Sequence, residues 1–309
     1  MPAQSPTTVT FKTVRRHEIK LDLYPTASAA PAPVVVWIHG GCLIMGSRNG
    51  IHGRPGILET CLNRGMAVAA IDYRLAPETK LADILADMSD AFAWVRDEGR
   101  AHGLDPGRIG VMGHSAGGYL ALMSAFMVSP RPKAVVSFYG YADIAGDWYA
   151  KPDAFYNLQP PVTEAEARSS VGTTPLSEPE EPVSNNRQRF YLWTRQRGRW
   201  PVEVTGKDPA KERAAFDGWC PIQNITPDWP PVLLLHGTAD TDVPYAQSAQ
   251  MVDALTVVGP SHRLITIRDG PHAFERGVTF ADMTAPRRTA IGQACADSVA
   301  FLANCLDAV

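Results

Sequence analysis

Three stretches far apart in the chain together hold the groups needed to activate a hydroxyl. They are Gly113-His114-Ser115-Ala116-Gly117, His236-Gly237-Thr238-Ala239-Asp240, and Asp269-Gly270-Pro271-His272. A serine hydroxyl is a poor nucleophile until a base removes its proton, and an imidazole does this best when a carboxylate fixes its orientation. Ser115 follows the apolar run 109–112 and opens the helical stretch 116–128. That places it on a sharp strand-to-helix turn, where flanking glycines avoid Cβ clashes with the neighbouring strand and helix. The first N–H groups of the helix then face any negative charge that develops there. Asp240 and His272 each stand just past an apolar strand pattern, and residues outside the carboxyl ends of parallel strands line one crevice. Asp242 competes with Asp240 for the role of acid. It directly precedes Val243-Pro244, where a carboxylate also suits the N-terminus of a helix starting near Pro244, so Asp240 is favoured. The glycine turn His39-Gly40-Gly41-Cys42 and the backbone N–H of Ala116 are the two expected sides of an oxyanion hole.

These positions require a sheet that brings strand ends together. Short apolar runs at 34–38, 67–71, 109–112, 134–138, 231–235 and 264–267 predict six parallel strands covered on both faces. Alternating segments at 9–14 and 18–24 predict an antiparallel opening pair, giving a mostly parallel eight-stranded α/β sheet. Leu81, Ile84, Leu85, Met88, Phe92 and Val95 form one stripe of an amphipathic helix, and further helices are predicted at 116–128, 245–257 and 287–306. Residues 142–220 break the rhythm and are dense in Pro, Trp and Tyr. They read as a cap inserted after the sixth strand, with helices at 164–170 and 186–197, which leaves 1–141 and 221–309 as the catalytic domain.

A chain of 309 residues with 45% hydrophobic and 20% charged residues has globular proportions. Its net charge of −3, from 29 basic and 32 acidic residues, provides no strong field to attract nucleic acid or an anionic membrane. A small-molecule acyl substrate is the expected partner, and a homodimer is left open. The opening MPAQSPTTVT lacks a basic and an apolar region, and no apolar run nears the ~18 residues of a membrane span, so a cytoplasmic protein is expected. Cys42, Cys61, Cys220, Cys295 and Cys305 show no CxxC or Cys/His ligand spacing, which argues against a disulfide framework and a metal site. The proposed chemistry calls for no cofactor.

With these motifs in hand, the chain resembles the α/β-hydrolase superfamily and, within it, the hormone-sensitive-lipase-like carboxylesterases. The resemblance covers most of the chain. It rests on His39-Gly40-Gly41, on Asp72-Tyr73-Arg74-Leu75-Ala76-Pro77-Glu78 and on the turn around Ser115. It implies the α/β-hydrolase fold, a serine esterase, and the backbone amides of Gly41, Cys42 and Ala116 as oxyanion donors. Cys42 stands where the family has a third glycine, a change that leaves backbone donation intact. Asp240 matches the acid of a D-x-x-V-P pattern, and His272 matches the histidine after the last strand. The resemblance also implies a structural role for 72–78, through buried charge pairs, so that changing Asp72 or Arg74 would leave a partner charge unpaired. Such relatives commonly carry their cap at the N-terminus, so their substrates do not transfer to this chain.

The cap is rich in aromatic residues. Trp148, Tyr149, Phe190 and Trp193, with Tyr139 at its base, are candidate substrate-binding residues, and packing onto the main domain is the competing role. Arg187, Arg189, Arg195, Arg197 and Arg199 read as a solvated basic face, the sharper alternative being a clamp for an anionic substrate or a carrier-bound acyl chain. The expected activity is cleavage of a carboxylic ester of a small to medium, partly apolar substrate through an acyl-enzyme. A peptidase, an acyltransferase, cyclase or thioesterase, and a non-catalytic binding module are the alternatives.

Overall fold

The structure is a computed structural model that describes residues 5–26, 31–179 and 183–308. Eight strands form one sheet: β1 (Thr7–Val14), β2 (His17–Tyr24), β3 (Ala32–Ile38), β4 (Ala67–Ile71), β5 (Leu104–His114), β6 (Val135–Phe138), β7 (Val232–Gly237) and β8 (His262–Ile267). Their order is β1-β2-β4-β3-β5-β6-β7-β8. β2 pairs antiparallel with β1 and β4, and every other pairing is parallel. All residues of β3, β4, β6 and β7 are buried, which is why these segments read as continuous apolar runs, whereas the edge strands β1 and β8 alternate with exposed positions. The predicted sheet and its antiparallel opening pair are present. β5 reaches further back than the apolar run 109–112, starting at Leu104.

Side chains of β3 alternate between two cores, as the two-residue repeat of a strand requires. Val34, Val36 and Ile38 join the core beneath α2 (Leu81–Asp97), α3 (Ala116–Met127) and α8 (Ala246–Val258). Val35 and Trp37 join the core beneath α1 (Pro55–Asn63), α9 (Phe280–Thr284) and α10 (Ala290–Cys305). The helix α1 was not anticipated, because its stripe of Ile57, Leu58 and Cys61 is short and follows a glycine-rich turn. In α3 every residue from Ala116 to Ala125 is buried, as expected of a helix that is apolar all round.

Between β6 and β7 lie α4 (Asp147–Ala150), α5 (Glu164–Ser169), α6 (Val183–Arg197) and α7 (Trp200–Thr205). The Thr163/Glu166 capping box sets the start of α5. Tyr149 is sandwiched between Trp148 and Trp200, with ring centroids 3.7 and 4.1 Å away. The basic segment of α6 departs from the solvated face expected of it: Arg189, Arg197 and Arg199 are exposed, but Arg187 and Arg195 are 1% exposed. Acceptors around both offset much of the desolvation, although Arg195 Nε has none among the described residues. Arg187 donates to the carbonyls of Ile44 and Ala76 and to both carboxylate oxygens of Glu78, so α6 is anchored to two loops of the main domain.

The 72–78 segment is tied by charge. Asp72 accepts from the backbone N–H and guanidinium of Arg48, which also reaches Asp22 and Glu178. Arg74 donates twice to Asp87, at 2.7 and 2.8 Å, and Lys12 reaches the same carboxylate at 2.7 Å. Among the described residues no helix is long and apolar enough to cross a membrane. Because Asp87 is fully buried between two cations, Asp87→Ala is expected to lower stability by about 3–5 kcal/mol in urea unfolding. The double variant Arg74→Met/Asp87→Leu should lose less than that single change, since no buried charge is then stranded at Arg74.

Candidate active site

Ser115 sits between β5 and α3 at φ 57° and ψ −119°, a conformation that L-residues rarely adopt. Its neighbours make this turn fit. A Cβ on Gly113 would lie 2.0 Å from the carbonyl oxygen of Gly117, and one on Gly117 would lie 2.1 Å from that of Ile38, so neither position admits a side chain. The Ser115 N–H donates to the Phe138 carbonyl and its own carbonyl accepts from Tyr119, both at 2.9 Å.

The loop after β3 turns through three consecutive residues of positive φ: Gly41, Cys42 and Leu43. The Gly41 carbonyl takes the N–H groups of Ile44 and Met45. The N–H groups of Gly41, Cys42 and Ala116 find no acceptor among the described residues, which leaves them free to donate to an oxyanion. Gly40, Gly41, Cys42 and Ser115 line one cavity of about 810 Å³, while Ala116 lies buried at the first position of α3 and is not in its wall. The cap holds this loop from outside, since the Trp200 indole N–H donates to the Cys42 carbonyl at 2.9 Å.

The acid and the histidine are brought together by loops that bond to each other. Thr238 N–H donates to the Ile267 carbonyl, Ala239 N–H to that of Gly270, and Asp269 N–H to the Thr238 hydroxyl. Asp240 Oδ1 accepts from the N–H groups of Asp242 and Val243, and its Oδ2 meets His272 Nδ1 at 2.7 Å. Burial alone would raise the Asp240 carboxyl, but hydrogen bonding by His236 and His272 outweighs it and holds the group well below the usual carboxylate range. For His272, burial disfavours the charged form, yet the carboxylates of Asp242 and Asp240 prevail and raise its pKa above 6.5. Its ring packs on Tyr139 with centroids 4.4 Å apart, and Tyr139 donates to buried Glu275, which also takes Arg54 Nε at 2.8 Å.

Asp242 does not serve a helix start, since α8 begins at Ala246 with Tyr245 as its cap residue. It faces His272 and the cap. Its Oδ2 lies 3.3 Å from His272 Nε2, while Oδ1 accepts from Tyr156, Tyr191 and Arg195. Ser115 and His272 line the same cavity, but no hydrogen bond joins them among the described residues. Ser115 Oγ is instead 3.3 Å from the hydroxyl of Tyr141, a fully buried residue that sequence reasoning missed because no local pattern marks it.

Of the candidate substrate contacts, Tyr139 lines the cavity. Trp148, Tyr149, Phe190 and Trp193 lie outside its wall, and the cap presents Tyr156, Gln159, Gln188, Arg189, Tyr191 and Leu192 instead. Phe190 and Trp193 carry the Arg168 guanidinium, 5.6 and 4.9 Å from their ring centres. Among the described residues no group of three or more His, Cys, Asp or Glu side chains is arranged to hold a metal ion.

The fold has solved counterparts. A protein of unknown function from Staphylococcus aureus superposes with a TM-score of 0.75 at 22% identity, covering 97% of this chain and 99% of that one. Esterase 2 of Thermogutta terrifontis, phosphorylated by paraoxon, superposes with a TM-score of 0.67 at 20% identity over 97% and 94%. In sequence, 89% of the chain aligns at 28% identity with the non-reducing polyketide synthase ausA of Emericella nidulans, although it spans only 13% of that protein. The BD-FAE family model matches residues 21–255, which include both the serine turn and Asp240, and the chain therefore belongs to this α/β-hydrolase esterase family.

Proposed function

We propose that the protein is a serine hydrolase of carboxylic esters in which Ser115 is the nucleophile, His272 the general base and acid, and Asp240 the residue that orients His272. The observation that carries this reading is the 2.7 Å contact of Asp240 with His272 Nδ1 at the wall of the cavity that also holds Ser115. With Nδ1–H bound to Asp240, the neutral imidazole has its lone pair on Nε2. Nε2 takes the Ser115 proton as Oγ bonds to the acyl carbon, and the carbonyl oxygen becomes an anion met by the N–H groups of Gly41, Cys42 and Ala116. Collapse breaks the bond to the leaving alcohol, which receives the proton from His272. Water then repeats the sequence on the acyl-enzyme. The family's esterase character supports this, and so does the esterase of similar fold. The five cysteines, all unpaired, support a reducing cytoplasmic location.

A second reading, release of an acyl chain from a thioester, is favoured by the polyketide synthase relatives and by two exposed arginines in the cavity wall, Arg189 and Arg276, which suit an anionic carrier arm. The kcat/KM for matched oxygen esters and thioesters separates the two, because a thioester preference of a hundredfold or more would displace the ester reading.

Ser115→Ala is expected to abolish the mass shift produced by a fluorophosphonate probe, read by intact-protein mass spectrometry. Labelling that persists would remove Ser115 from its role. Asp240→Asn is expected to lower kcat on a p-nitrophenyl ester by about four powers of ten. Because the base must be neutral and its pKa is raised, kcat/KM should climb with pH along a limb centred above 6.5. A limb at or below 6.5 would contradict the assigned surroundings of His272.

A further inference from the structure

His272 is in contact with two carboxylates, one more than orientation requires. Asp240 meets Nδ1 at 2.7 Å and Asp242 Oδ2 stands 3.3 Å from Nε2. A neutral imidazole carries a single N–H, so once Nδ1–H is given to Asp240 a lone pair remains on Nε2. A lone pair set against an anionic oxygen is repelled. Both contacts are favourable together only in the imidazolium, where each nitrogen donates.

Of the other charges around the ring, Glu275 favours that form, and the nearby arginines are either paired with carboxylates or exposed. Glu275, on the same loop as His272, is fully buried, and His114 at the end of β5 lies 3.8 Å from it. Tyr139, after β6, covers the ring face. Arg54 is bound to Glu275, and Arg195 is shared between Asp242 and Asp153. Arg276 is exposed on the loop beside His272. Among the described residues no lysine or arginine pairs with Asp240, whose carboxylate is met by His236, His272 and two N–H groups of its own loop.

Asp242 also reaches the cap. Its Oδ1 accepts from Tyr156 at 2.7 Å, from Tyr191, and from Arg195 at 3.0 Å, and its carbonyl accepts from Arg195 at 2.9 Å. Arg195 is held in turn within 4.8 Å of the Tyr149 ring centre and 4.5 Å of that of Tyr156. Building on the serine hydrolase reading, we propose that Asp242 is a positioning residue that holds protonated His272 by Nε2 and ties it to the cap through Arg195, Tyr156 and Tyr191, releasing that nitrogen to Ser115 when the proton leaves. In that step the Nε2–H bond breaks, the proton passes to water, and the electron pair left on Nε2 is repelled by Asp242 and becomes available to the Ser115 hydroxyl. Ser115, parked meanwhile on Tyr141, needs a change of partner and no new group.

The test compares two readouts. In Ser115→Ala, imidazole ¹⁵N shifts report the titration of His272 without any need for turnover. Adding Asp242→Asn should lower that pKa by about one unit or more. On the Ser115 background, Asp242→Asn should move the acidic limb of kcat/KM down by the same amount, Asp242→Glu should return it toward the parent position, and Asp240→Asn should depress activity at every pH. A residue that only braces the fold would shift the melting temperature and leave the limb in place, which would overturn the proposal. Should Asp242→Asn fail to fold, Tyr156→Phe removes one donor from Oδ1 and leaves the carboxylate more basic. An upward shift of the His272 pKa then supports the role, and an unchanged pKa overturns it. Loss of fluorophosphonate labelling in Ser115→Ala tests the underlying reading separately.

Discussion

The site depends on one hydrogen bond, from His272 Nδ1 to Asp240, and that bond depends on backbone geometry. Asp240 Oδ1 is saturated by two N–H groups of its own loop, so the carboxylate cannot rotate without stranding them. The β7 and β8 loops share three further hydrogen bonds, which fix the separation of the acid and the histidine before either side chain is considered. Parallel pairing of β7 with β8 sets the register of those loops. The positions of Asp240 and His272 are thus inherited from the sheet.

The cap is joined to this frame by buried cations. Arg187 and Arg195 are desolvated on one helix, and each meets the main domain at a loop of the candidate site: Arg187 at the Ile44 carbonyl in the turn after β3, Arg195 at Asp242 beside His272. Burying a guanidinium costs several kcal/mol unless its donors are matched: Arg187 finds its acceptors in the main domain, whereas Arg195 is shared between Asp242 and Asp153 and its Nε has no acceptor among the described residues. The stack of Trp148, Tyr149 and Trp200 adds apolar contact behind them. The aromatic content of the cap consequently serves assembly more than it serves the cavity wall, where Tyr156, Tyr191 and Leu192 appear.

What could be read from the sequence was what is written locally. The turn around Ser115 is specified within five residues, because sterics at Gly113 and Gly117 allow nothing larger. The strand patterns were legible because burial on both faces leaves continuous apolar runs. Tyr141, the approach of Asp242 to Nε2 of His272 while Asp240 holds Nδ1, and the inward turn of Arg187 and Arg195 were not legible. Their partners lie 26 to 143 positions away, or, for Asp242 and His272, in separate loops whose approach only the folded sheet defines. The helical period places Arg187 and Arg195 on α6, but whether that face meets water or carboxylates depends on tertiary contacts. The aromatic candidates Trp148, Tyr149, Phe190 and Trp193 show the same limit, since composition identifies rings and says nothing about which of them border empty space.

The indole of Trp200 holds the carbonyl of Cys42, so the peptide plane that follows this carbonyl is oriented by a residue of the cap. Any change in the segment that carries Trp200 is therefore also felt in the turn after β3. A cap transplanted from a relative would have to bring its own indole to the Cys42 carbonyl and its own guanidinium to the Ile44 carbonyl, or the turn after β3 would lose two of its anchors.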